Sequence, residues 1–80
     1  MAINLDLAMM ALEGLTQSPV RASSTEDEIV IEAQAEGFKE LARLMLLLGG
    51  QDSEPGEEVI LETGLHVTAG SRTLRLRRRT

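Results

Sequence analysis

The stretch Glu36 to Leu48, EGFKELARLMLLL, closed by Gly49-Gly50, constrains the fold more than any other, because its apolar residues keep a helical period over more than three turns. At 100° per residue Phe38, Leu41, Ala42, Met45 and Leu48 share one sector, the expected core face, and Lys39, Glu40 and Arg43 lie opposite. Glu36 puts negative charge at the positive end of the helix dipole, and Gly49 or Gly50 is suited to a left-handed stop. Gln34 and Ala35 lack the short oxygen-bearing side chain of a good N-cap, so the start is less sharply defined than the end. Leu44, Leu46 and Leu47 fall outside the core sector and are expected to form an apolar surface patch, the mark of an interface.

Eighty residues make one domain, and a domain of this size buries only about 60% of the surface its unfolded chain exposes. Cysteine is absent, which removes disulfides, thiolate metal sites and a cysteine nucleophile. Phe38 is the sole aromatic residue, so the core is aliphatic. Of the usual supports for a small domain, oligomerisation remains.

The expected fold is α+β: an N-terminal helix, then β-α-β-β, with a small, mainly antiparallel sheet of three or four strands packed by the central helix. Leu5 to Leu15 reads as the first helix, since AMMALEG has no β-branched residue and Leu5, Ala8, Met9, Leu12 and Leu15 share a face, with Gly14 near its end. The alternation of Ile3, Leu5 and Leu7 with Asn4 and Asp6 leaves a strand open at this point. Leu7, Met10 and Ala11 lie on the helix's remaining side, and Leu7 and Met10 join the candidate interface. Residues 16–27, rich in Ser, Thr and Pro, read as a mobile linker before a β-α-β-β core over 28–79. Glu28 to Ala33 forms a strand with Ile29, Ile31 and Ala33 on one face. After a Pro55-Gly56 turn, a strand from Glu58 turns Val59 and Leu61 inward. Thr63-Gly64 is a bulge or a turn, so residues 58–68 form one bent strand or two. Thr73 to Arg78 is the last strand, with Leu74 and Leu76 facing the core.

Residues 1–71 carry thirteen acids and three bases, a balance of −10, and residues 72–80 carry five arginines, a balance of +5. The acid excess disfavours nucleic acid and anionic membranes. No run approaches the roughly 18 apolar residues of a membrane span, and the acidic N-terminus is unlike a secretory signal, so a cytoplasmic location is expected. Arg75 and Arg77 are expected to pair across strands with Glu58 or Glu62, or with Glu32, while Arg78 and Arg79 fray into solvent. His66, the only histidine, reads as a strand residue at a sheet surface or a dimer contact. With no metal-ligand spacing and no phosphate loop, neither catalysis nor a cofactor is expected.

The order IVIEA, AEGFKELARLMLLL, LHV and TLRLRRR, with Glu36-Gly37, His66 and Leu74-Arg75-Leu76-Arg77 as its marks, resembles a family of small bacterial immunity proteins of polymorphic toxin systems. The resemblance covers Glu28 to Arg79, and implies a non-catalytic protein that binds and blocks a toxin. The N-terminal helix and the acidic insertion before Val59 depart from that pattern, and no toxin-contacting residue carries over. The expected function is a small protein-binding module, itself expected to be a homodimer through its uncovered apolar patch, with a structural or regulatory homo-oligomeric subunit as the alternative and an arginine-tail nucleic-acid binder third.

Overall fold

The computed structural model describes residues 4–80; the strand reading of Ile3 lies outside them. Helix α1 (Leu5–Gln17) starts at Asn4, whose Oδ1 accepts the Leu7 N–H at 3.1 Å, the side-chain cap that sets the start. The helix runs two residues past its expected end at Leu15, so Gly14 lies inside it. A Cβ on Gly14 would stand 2.7 Å from Glu40 Oε2 and 2.8 Å from Glu40 Cγ. The glycine therefore serves close helix approach, not termination.

Helix α2 (Ala35–Leu48) follows from Gln34, which makes no side-chain cap bond. Gly49 ends it at φ −87°, not in the left-handed conformation, and positive φ occurs at Gly56, Gly64 and Gly70. The helices run antiparallel: Gly14 faces Glu40, and a Cβ on Gly37 would stand 2.7 Å from the Ser18 carbonyl oxygen. These contacts settle which side of α2 is buried: Leu41 and Leu48 lie in the core as expected, but the buried face is rotated away from Phe38, Ala42 and Met45 toward Gly37, Glu40 and Leu44. Gly37, Glu40, Leu41, Leu44 and Leu48 are buried, whereas Phe38 and Met45 are 44% and 48% exposed. Leu44, expected at the surface, is fully buried beneath α1. The last turn and a half of α2 is aliphatic nearly all round, so periodicity alone fixes its rotation poorly.

The segment expected as a mobile linker holds a strand. β1 (Arg21–Ser24) pairs antiparallel with β2 (Ile29–Glu32) in the register Arg21↔Glu32 to Ser24↔Ile29. Its turn is closed by Thr25, whose N–H donates to the Glu28 carbonyl at 2.8 Å while its Oγ1 accepts the Asp27 and Glu28 N–H groups. β3 (Glu58–Leu61) and β4 (Leu74–Arg77) form a second antiparallel pair, Glu58↔Arg77 to Leu61↔Leu74. Val59 and Leu61 are buried as expected.

Among the described residues there are thus two two-stranded sheets, not one sheet of three or four strands. The far edge of β1 is occupied by irregular chain: Val20 N–H donates to His66 O at 3.2 Å, Thr68 N–H to Val20 O at 2.9 Å, and Arg72 N–H to Ala22 O at 3.2 Å. Residues 62–67 are neither a bent strand nor a second one. The N–H groups of Leu65, His66 and Val67 converge on the Glu62 carbonyl at 3.1, 3.0 and 3.2 Å, which makes this segment a turn. One aliphatic core joins the parts, with Leu15, Val20, Leu44, Leu61 and Val67 fully buried.

Candidate docking groove

Because α1 and α2 are antiparallel, the N-terminal half of α1 lies beside the C-terminal half of α2. Leu7, Met10 and Ala11 from the first and Arg43, Leu46 and Leu47 from the second line an open groove of about 300 Å³. Four of the five expected interface residues, Leu7, Met10, Leu46 and Leu47, meet there; Leu44 does not, being core. Leu7 is 49%, Met10 63% and Leu46 74% exposed. Ala11, which the sequence places on the same side of α1 as Leu7 and Met10 without marking it as interface, lines the groove too, and Arg43, expected on the polar side of α2, was missed. Arg43 Nη1 is held by Glu40 Oε1 at 2.9 Å, and Glu40 is itself largely buried.

The charged contacts expected on the last strand form in part. Glu58 Oε2 accepts Arg77 Nε at 2.8 Å and lies 3.7 Å from Arg75 Nε. The hydrogen bond from Arg77 holds the Glu58 carboxyl below the usual carboxylate range; partial burial opposes this, and the charges of Arg75 and Arg77 add to it. Among the described residues no ion pair joins Glu62 or Glu32 to these arginines; Glu62 acts through its backbone.

Arg78, expected to fray, is fixed. Its Nη1 donates to Gly50 O at 3.0 Å, to Ser53 O at 2.9 Å and to Ser53 Oγ, and Ser53 Oγ donates in turn to Leu48 O. α2 has no base in its own last turn. Arg78 brings a cation from the far end of the chain to the carbonyl-rich C-terminus of that helix, where the dipole favours it.

His66 is buried, not a surface-strand or interface residue, and its Nδ1 accepts the Glu62 N–H at 3.1 Å. That bond uses the Nδ1 lone pair, so the ring proton sits on Nε2 and the imidazole braces the turn. Nearby hydroxyls are committed to structure: Ser71 Oγ accepts the Ala22 N–H at 3.2 Å and lies 2.6 Å from Thr68 Oγ1, and Thr63 Oγ1 donates to Ser71 O at 2.9 Å. They fasten the 62–73 segment to β1. Among the described residues no cluster of three or more His, Asp or Glu could hold a metal ion, and no helix is long and apolar enough to cross a membrane. No family model matches the chain, and no curated protein or solved structure matches it either.

Proposed function

We propose that this chain is a small non-catalytic protein-binding module, working in the cytoplasm, whose partner docks in the α1–α2 groove. The observation that carries this is the convergence of exposed Leu7, Met10 and Leu46 around one apolar depression built by two helices. Fully burying such a side chain contributes about 1.5–3 kcal/mol, so a cluster of them in water is a source of binding energy. An inhibitor of the immunity type is the form suggested by the resemblance of residues 28–79, and the acid excess of residues 1–71 suits a basic toxin. The second reading is a homodimeric structural or regulatory subunit using the same patch, favoured by its aliphatic character. An arginine-tail nucleic-acid binder ranks third, because Arg75 and Arg77 share Glu58 and Arg78 is spent on the 50–53 loop.

The test is site-specific photocrosslinking in the native cell, with the photoreactive residue at Met10 or, as control, at Ile29, which is exposed on the far hairpin. A heterologous protein adduct from position 10 and none from position 29 supports the module. Adducts to a second copy only, with sedimentation at twice the chain mass, select the homodimer. Absence of any adduct at position 10 rejects both.

A further inference from the structure

We infer that the groove's occupant is a basic amphipathic helix, presenting two apolar side chains one turn apart with Lys or Arg beside them. The inference rests on the reading of the groove as a docking surface and adds the chemistry of what enters it. The first observation is length. The lining runs over residues 7–11 of α1 and 43–47 of α2, about 6 Å along each axis at 1.5 Å per residue. That matches the i, i+4 spacing of a third helix lying along the pair, a common way for a helix to be held.

The second observation is charge. Asp6 and Glu13 are exposed on α1, four residues before and three after Met10, and so on its face of the helix. α1 contains no base, and among the described residues neither carboxylate has an ion-pair partner. On α2 the cation that lines the groove, Arg43, is paired with Glu40 at 2.9 Å, and Lys39, one turn before it, is paired with Glu36 at 3.3 Å. The mouth is therefore apolar with a net negative rim, and it is complementary to apolar anchors flanked by cations.

The same facts disfavour a second copy in this place. Joining two copies would set the carboxylates of Asp6 and Glu13 on one chain against those of the other, whereas a basic helix would meet them with opposite charge.

The experiment titrates the isotopically labelled full chain with a fourteen-residue peptide of Leu at helical spacing and Lys elsewhere, and with its Leu/Glu counterpart, following amide shifts. The Leu/Lys peptide should shift residues 7–11 and 43–47, with affinity falling as salt rises. Leu7→Ser with Leu46→Ser should weaken it at least tenfold, and Asp6→Asn with Glu13→Gln severalfold. Both pairs are at exposed positions, and helix content by circular dichroism checks that each variant is folded. Equal binding of the Leu/Glu peptide, or no effect of the Asp6/Glu13 pair, would overturn the basic helix while leaving the groove a docking surface. No shift with either peptide, shifts spread over the strands, or a stable dimer that the peptide does not dissociate would overturn it as well, the first of these together with the groove reading.

Discussion

Replacing Gly37 by alanine should destabilise this protein even though alanine is the better helix former. In an open helix the exchange would gain about 1 kcal/mol. Here the new Cβ would sit 2.7 Å from the Ser18 carbonyl oxygen and 3.1 Å from Ala33 Cβ. The first contact is with backbone, and Ser18 lies two residues before fully buried Val20, so it cannot swing aside as a side chain would. Forcing α1 and α2 apart by about half an ångström is overpacking, which costs about 1–3 kcal/mol, and a backbone obstacle places this case in the upper half of that range. The net expectation is a loss of about 1–2 kcal/mol. For a domain of 60–100 residues each kcal/mol lowers Tm by about 4–8 °C. Two other glycines give graded controls. At Gly14 the obstacle is the Glu40 side chain, which can rotate out at the expense of its bond to Arg43, so alanine there should be near neutral. At Gly49, with φ −87° and its nearest outside atom at 3.4 Å, alanine should add about 0.4–1 kcal/mol. Urea titrations followed at 222 nm measure all three. A Gly37→Ala variant as stable as the parent would refute the close packing of α2 against the end of α1.

Arg78→Ala should cost about 1–2 kcal/mol, because it removes charge-assisted bonds to Gly50 and Ser53, while Arg79→Ala should stay within about 0.5 kcal/mol of the parent in the same titration. Leu44→Ala, in the core, should lose about 2–5 kcal/mol, and Leu46→Ala, at the groove wall, almost nothing; equal effects would mean that the rotation of α2 is wrong. Glu58 has a folded-state pKa below the ordinary value of an unfolded glutamate, so its stabilisation is complete above that ordinary value and is lost as pH falls through the folded pKa. Thermal melts of Glu58→Gln between pH 2 and 7 should show a shallower acid limb than the parent, and parallel limbs would count against the Arg77 bond.

The elements whose signals are local are legible in the chain before it folds. Periodicity and good helix formers marked α1 and α2, and alternation marked β2, β3 and β4, with Val59 and Leu61 inward and Arg75 and Arg77 outward beside Glu58. The sequence also marked Leu7, Met10, Leu46 and Leu47 as surface residues wanting cover. The remaining features depend on contact between segments distant in the chain. Arg21-Ala22-Ser23-Ser24 has little strand propensity and becomes β1 because β2 lies on one edge and the 66–72 chain bonds the other. The close approach of α2 depends on Gly37, which meets the Ser18 backbone, with Gly14 facing only the movable Glu40 side chain, and neither helix alone is informative on this. Arg78 and Ser53 are 25 residues apart, and no local pattern predicts that one will satisfy the other at the end of α2. The groove follows from the same cause: its walls are local patterns, but only the antiparallel docking of α1 on α2 buries Leu44 and leaves its neighbours Leu46 and Leu47 facing Leu7 and Met10. A helical period reports which residues share a face, and only packing against another element determines which face is taken out of water.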